Sequence, residues 1–540
     1  MDRAEGPGRP PDDQAFDEDE LREAEALLSG TGSGGDGGIA VNWAVLFRHR
    51  MHHKVARSDR YQWWILWTVL AGLLSVNITF TVFVVALPKV AHELHTTTTT
   101  LAWTSTGPLL AFGVAAPILG KLGDLRGYKR LYLWGLAGAA LSVVLTASAP
   151  TAGILIAARI FDGVQGAATG AASMALVLQA FSHEDRVKAL GWWALVGAGG
   201  PVLGVTIGAP IIQYWGWRAL FWGELPLMAA AAILAVIVLP GRDRQAEVAE
   251  AAAKAEGSSV AEPSAHPWRE LDWVGSIALA GSVTSALFAL NEIPSWGITS
   301  PWTLAMFALS AVLLAVFVRH ERRFPRPLIP LRYFRKPNFV FPLGARATVN
   351  FAYMGGFFLF PILMESVYGY SETTAGLLST ARPLVFSLSS PIAGYVAIKV
   401  GERWSVVAGA GALFISMLVF TQVGPHPSIA LFVVALALSG LGNGVSSPST
   451  AASAANEVAH DELGVMSAAQ LLITQIGIVA GIQVMVTVQA AGHGGADSLA
   501  SFHRAYLVGA LVALAAVVFG FFVKDTPRRQ KGATAEVAPH

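Results

Sequence analysis

Long apolar runs, each closed off by a short polar or basic cluster, recur along this chain from Trp63 to Val523. A bilayer core takes about 20 apolar residues to cross as a helix, and these runs are of that length. They fall at Trp63–Val85, Leu101–Leu119, Leu131–Ala149, Ala152–Leu178, Val187–Ile212, Leu220–Leu239 and Trp273–Leu290. Leu304–Val318, Phe339–Met364, Ala375–Val396, Ser405–Gln422, Ile429–Pro448, Val465–Val488 and Ala505–Val523 follow. The pattern predicts an all-α integral membrane protein with 14 spans. Composition agrees, because 54% of residues are hydrophobic and only 14% charged, against about 25% charged in a soluble domain.

The polar stretches divide the chain. Residues 1–60 read as a polar, partly acidic tail that ends in a basic run from Arg48 to Arg60, with three histidines in it that read as part of a hydrated juxtamembrane cluster. Residues 61–240 hold six spans, and 241–337 hold linkers and two further spans. Residues 338–524 hold another six, and 525–540 form a polar tail. An even number of spans puts both termini on one side. Lys and Arg gather at the two ends and in alternate loops, whereas the other loops carry only Lys89, Arg218 and Arg504. By the positive-inside rule, both termini are expected in the cytoplasm.

Two loops repeat. Gly120-Lys121-Leu122-Gly123-Asp124-Leu125-Arg126-Gly127-Tyr128-Lys129-Arg130 separates the second and third spans. A degenerate copy, Gly394 to Arg403, separates the tenth and eleventh, with Ile398 in the place of Asp124. The copies imply two related six-helix halves, with the seventh and eighth spans inserted between them. The first copy resembles the loop signature of the major facilitator superfamily, Gly-x-Leu-Ala/Ser-Asp-Arg-x-Gly-Arg-Lys, with Leu125 and Tyr128 standing where that pattern has arginines.

Three arginines, Arg159, Arg346 and Arg382, lie inside predicted spans, where a charge is costly unless it meets a cavity or a partner. Asp162 follows Arg159 at i, i+3, so the two share a helix face and can pair; a coupling pair and a permanent structural ion pair are both open readings. Arg159 to Ala167 resembles the superfamily's fourth-helix signature, whose arginine is linked to proton transfer. Gly197 to Gly204, with Gly200, Pro201 and Gly204 on the pattern, resembles the exporters' Gly-Pro signature; its physics is close helix contact and a proline kink. Further stretches, Val84–Pro88, Trp217–Trp222, Leu271–Gly275 and Pro327–Leu331, extend a resemblance to the fourteen-helix drug:proton antiporters of the EmrB/QacA type. One departure stands out: Thr79 occupies the place of that family's first-helix aspartate, and the nearby Asn77 cannot titrate. Two other acids, Glu224 and Glu365, are expected either to pair with Arg346 or Arg382 or to reach interfacial water. Asn350, Tyr353, Asn443, Gln475 and Gln483 are candidates for lining a cavity, or for ordinary helix–helix hydrogen bonds.

Other classes are excluded or unsupported. No cysteine is present, so thiolate metal sites and cysteine nucleophiles are out. No metal site, cofactor or catalytic residue is expected. A net charge of +1 and the lack of a basic, aromatic-interleaved helix argue against nucleic acid. Gly113 to Lys121 faintly echoes a phosphate loop, but the spacing is wrong and Leu122 takes the Ser/Thr place. The resemblance implies a proton-coupled exporter of hydrophobic or amphipathic compounds in a bacterial inner membrane. Its expected partners are a small-molecule substrate, protons and the lipid bilayer, with the oligomeric state left open. Asp124, with Gly120, Arg126, Gly127, Lys129 and Arg130, would gate the cytoplasmic side, and Arg159 with Asp162 would couple protons. A dedicated exporter of one lipid or secondary metabolite, and a non-transporting receptor or assembly partner, remain as alternatives.

Overall fold

A computed structural model describes residues 60–101, 103–240, 272–325, 327–459, 462–491 and 498–525. The expected N-terminal tail, the linker after the sixth span and the C-terminal tail lie outside the described residues. Among the described residues, fourteen long helices occupy the fourteen apolar runs: α1 Tyr61–Glu93, α2 Trp103–Arg126, α3 Tyr128–Ala147, α4 Ala152–Ala180, α5 Arg186–Trp215, α6 Trp217–Val238 and α7 Trp273–Trp296. They continue with α8 Pro301–Glu321, α9 Pro337–Ser366, α10 Ala381–Val400, α11 Glu402–Thr421, α12 Ile429–Ala455, α13 Leu463–Ala490 and α14 Leu499–Phe522. No strand occurs among the described residues. Twelve spans among the described residues are long and apolar enough to cross a membrane by length and composition alone. The other two long helices are α1 and α4, and α4 carries the Arg159 and Asp162 charges.

Local chemistry sets the helix ends. The side chains of Asp272, Ser428 and Ser498 accept from the N–H three residues on and so open α7, α12 and α14; each satisfies a donor that a helix start leaves unpaired. Pro301 and Pro337 begin α8 and α9, where the missing N–H costs nothing. The tenth span differs from the continuous run expected at Ala375–Val396. A short helix, Glu372–Ser379, stops and α10 begins afresh at Ala381, because Pro383 has no N–H to donate and its ring would clash with the Ser379 carbonyl of a continuous helix.

Helices α1 to α6 pack as one half and α9 to α14 as the other. The core of the first half gathers Leu66, Val69, Tyr132, Leu136 and Val177. The second is more aromatic: Phe360, Phe420, Phe432, Phe502 and Tyr506 pack together, with the Phe420 and Tyr506 rings stacked at 4.5 Å. The halves meet along two seams related by the internal repeat, α2 against α13 and α5 against α10. The α7–α8 hairpin attaches through α7, which touches both α2 and α13. Helix α8 is held mainly by α7; it buries only Thr303, Phe317 and Glu321 and leaves Trp302, Leu304 and Val312 exposed, as befits a face toward lipid.

Gly127 joins α2 to α3 with φ +88°, a left-handed conformation that glycine adopts without strain. Gly127→Val is therefore expected to destabilise the protein by about 1–2 kcal/mol or more, read as a lowered Tm of the purified protein in detergent.

Candidate functional site

The loops from Lys121 to Arg130, from Ser182 to Lys188 and from Lys399 to Arg403 gather at one end of the bundle, here called the basic end. The seam between α2 and α13 closes there through glycines. A methyl group at Gly120 would sit 2.5 Å from the Ala468 Cβ and 2.6 Å from the Gly464 carbonyl oxygen, so only glycine permits this approach. Asp124, one turn further on, reaches across the seam. Its Oδ1 accepts from the Gly464 N–H at 2.9 Å and its Oδ2 from the Val465 N–H at 3.2 Å. A carboxylate from the first half thus caps the first turn of α13 in the second, where unpaired N–H groups and the helix dipole favour negative charge. Tyr128 steadies it, donating to Asp124 Oδ1 at 2.5 Å and lying 3.0 Å from the Gly464 N–H.

The other members of the signature do different work. Lys129 donates to the Val236 and Leu239 carbonyls and so caps the C-terminus of α6 within its own half. Arg126 lies over the Trp134 ring at 5.8 Å, and Arg130 is exposed. The repeat copy makes the second seam without a carboxylate: at Gly394 a methyl would sit 2.7 Å from the Val187 carbonyl oxygen, and at Gly191 2.7 Å from that of Ser390. Arg186 adds a bridge that sequence reasoning missed. Fully buried, it donates to the Leu178 carbonyl at 3.0 Å and to Asn456 Oδ1 at 2.9 Å in the other half. Its only sequence signal was a basic residue at a helix start.

Further from the basic end the halves touch more lightly. Gly113 faces Gln475 and Gly199 faces Ser387, about 20 Å along their helices at about 1.5 Å per residue. Every cross-half contact described here lies within that depth. The bundle is thus closed at its basic end.

Arg159 and Asp162 pair as their spacing predicts, Nη1 to Oδ2 at 2.7 Å, with Arg159 buried and Asp162 partly accessible. Gln165 completes the site by donating to Asp162 Oδ1 at 2.6 Å. Both oxygens of the carboxylate are therefore engaged from its own helix. Gly200 brings α5 onto α1, since a methyl there would lie 2.8 Å from the Asn77 Cβ; Gly204 is buried in the same helix. Asn77 and Asn350 turn back on their own helices, donating to the Leu73 and Arg346 carbonyls. The side chains of Thr79 and Pro201 lie outside the described ones.

The expected pairing of Glu224 or Glu365 with Arg346 or Arg382 is not what the structure has. Arg346 donates from Nε to Thr474 Oγ1 at 2.6 Å and from Nη1 to Ser447. Arg382, fully buried, donates to the Tyr353 carbonyl at 2.8 Å and lies over that ring. Among the described residues both arginines meet only neutral acceptors, because Glu365 is exposed at the far end of α9 and Glu224 is buried on α6 of the other half. At the end opposite the basic one, Glu93 holds Trp217 at 2.7 Å and Arg218, which makes the Trp217–Trp222 stretch a staple between α1 and α6.

The sequence matches the profile of the Major Facilitator Superfamily over residues 68–371 and 345–539. The chain belongs to that superfamily. It is 28% identical over 423 residues to the multidrug resistance protein Stp of Mycobacterium tuberculosis, covering 78% of this chain and 74% of that protein. It is 28% identical over 459 residues to the methylenomycin A resistance protein of Streptomyces coelicolor, covering 83% and 90%. Among solved structures, the human organic anion transporter MFSD10 superposes with a TM-score of 0.58 at 16% identity, covering 85% of this chain and 99% of that one; this likeness is one of fold.

Proposed function

We propose that this protein is a proton-coupled exporter of hydrophobic or amphipathic compounds, a multidrug efflux transporter working by alternating access. The observation that carries the reading is the Asp124 carboxylate of one half seated on the first turn of α13 in the other. Such a contact must break before the halves can part at the basic end, and remake when they close. With the basic loops toward the cytoplasm of a bacterial cell, the described conformation is the one closed to the cytoplasm. Arg159 and Asp162 supply the proton step: protonation of Asp162 would release Arg159, and loss of the proton would restore the pair. Relatives named for drug and antibiotic resistance support efflux as the task.

A dedicated exporter of one lipid or secondary metabolite is the second reading, favoured by Thr79 in the place of the antiporters' first-helix aspartate. A growth-inhibition panel in an efflux-deficient bacterial host decides between them. Protection against several unrelated toxic dyes, cations and antibiotics, abolished by a protonophore in a parallel dye-efflux assay, is the expected result. Protection against a single compound selects the second reading. Absence of protection from a verified membrane-inserted protein overturns both.

A further inference from the structure

The inserted hairpin carries a pair of acids that the export reading does not use. Asp272 opens α7 and Glu321 closes α8, side by side at the basic end, and both are almost wholly buried. One oxygen of each is spoken for. Asp272 Oδ1 accepts from the Gly275 N–H at 2.7 Å and lies 2.9 Å from His320 Nε2; Glu321 Oε1 accepts from the Ile329 N–H at 2.6 Å. The remaining oxygens, Asp272 Oδ2 and Glu321 Oε2, are buried and have no N–H or O–H donor among the described residues. They converge over Gly275, where a methyl group would lie 2.2 Å from the first and 3.1 Å from the second.

We propose that Asp272 and Glu321 hold one proton between them and form a proton-binding site that ties the hairpin to the rest of the bundle. Two facing carboxylates shielded from water cannot both stay ionised, whereas a carboxylic acid donating to a carboxylate satisfies both buried oxygens. Among the described residues, the charged groups around the pair are few. On α8, His320 contacts Asp272 and Arg319 precedes it; Arg322 and Arg323 follow on the connecting segment. Among the helices packed on α7, α2 brings Lys121, Asp124 and Arg126, with Asp124 already engaged on α13, and α13 itself carries no charged side chain. None of these groups supplies the missing proton to the two facing oxygens.

The pair controls a connection. Glu321 holds the Ile329 N–H, and Leu328 and Ile329 are buried against Val465 and Leu472 of α13, the helix that Asp124 caps. A proton taken up at the basic end keeps Glu321 against Asp272 and the 327–331 segment against α13. Its loss sets two anions face to face and drives Glu321, with its hold on Ile329, away. This role is separate from the Arg159–Asp162 step and does not depend on which compound is exported.

Hydrogen–deuterium exchange of the full-length protein in nanodiscs, corrected for the intrinsic pH dependence of exchange, tests it. In the wild type, protection of the peptide covering 327–331 is expected to fall as pH rises through neutrality. Glu321→Gln and Asp272→Asn each put an amide donor in place of the shared proton, and either variant is expected to stay protected across the range. His320→Gln is expected to keep the wild-type response. A wild-type segment whose protection does not change with pH overturns the proposal. So does a Glu321→Gln or Asp272→Asn variant that still loses protection as the wild type does, or a response that vanishes in His320→Gln.

Discussion

Asp162→Asn is expected to reduce pH-gradient-driven export to the level of protein-free liposomes, while exchange of substrate across the membrane without a gradient persists. The asparagine keeps an acceptor for Gln165 and nearly the same shape, so folding should survive, but it cannot take or give a proton. Arg159 Nη1 sits 2.7 Å from Asp162 Oδ2, and a proton arriving there converts an ion pair into a neutral acid beside a cation. That change in local charge is what a coupled conformational step needs. The measurement is substrate flux in proteoliposomes with and without an imposed pH difference. Gradient-driven flux that equals the wild type would make the pair a structural one.

The second large effect is expected at the seam. Asp124→Ala removes two charge-assisted hydrogen bonds to the start of α13. At about 1–2 kcal/mol each, their loss shifts the balance away from the state closed at the basic end by roughly thirty- to a thousand-fold. Transport should collapse because one of the two alternating states is barely populated. The chain contains no cysteine, so spin labels can be placed at will. Arg130→Cys and Trp404→Cys put labels at exposed positions on the basic ends of opposite halves. Their separation is expected to lengthen in Asp124→Ala, and an unchanged distance distribution would remove Asp124 from the gate.

What was legible in the sequence depended on how local the cause was. The fourteen helices could be read because a membrane demands long uninterrupted apolar runs, and the break before α10 traces to the single residue Pro383. The Arg159–Asp162 pair was legible because three residues on a helix make neighbours. Gln165, one turn further, and its bond to Asp162 were not foreseen. Contacts between halves were not legible. Asp124 finds Gly464, and Arg186 finds Asn456, across hundreds of residues of chain, and no periodicity announces either. Depth misled as well: Glu365 and Arg346 share α9 but stand about 28 Å apart along it, too far to pair. Lys129, placed in the gate by its position in a signature, is seen capping α6, a contact that no local pattern announces.

Helix α7 touches both α2 and α13, the seam that carries the Asp124 contact, while the α5–α10 seam has glycine-to-backbone packing and no such carboxylate. A bundle latched by a carboxylate along this seam, with Arg186 still bridging to Asn456 beside the other, would swing like a door about that other side. The opening edge would then face the lipid unless something covered it. An apolar hairpin lying along that edge, with α8 turned outward, would then work as a gasket: it would let the edge move and keep acyl chains from leaking into the passage behind it.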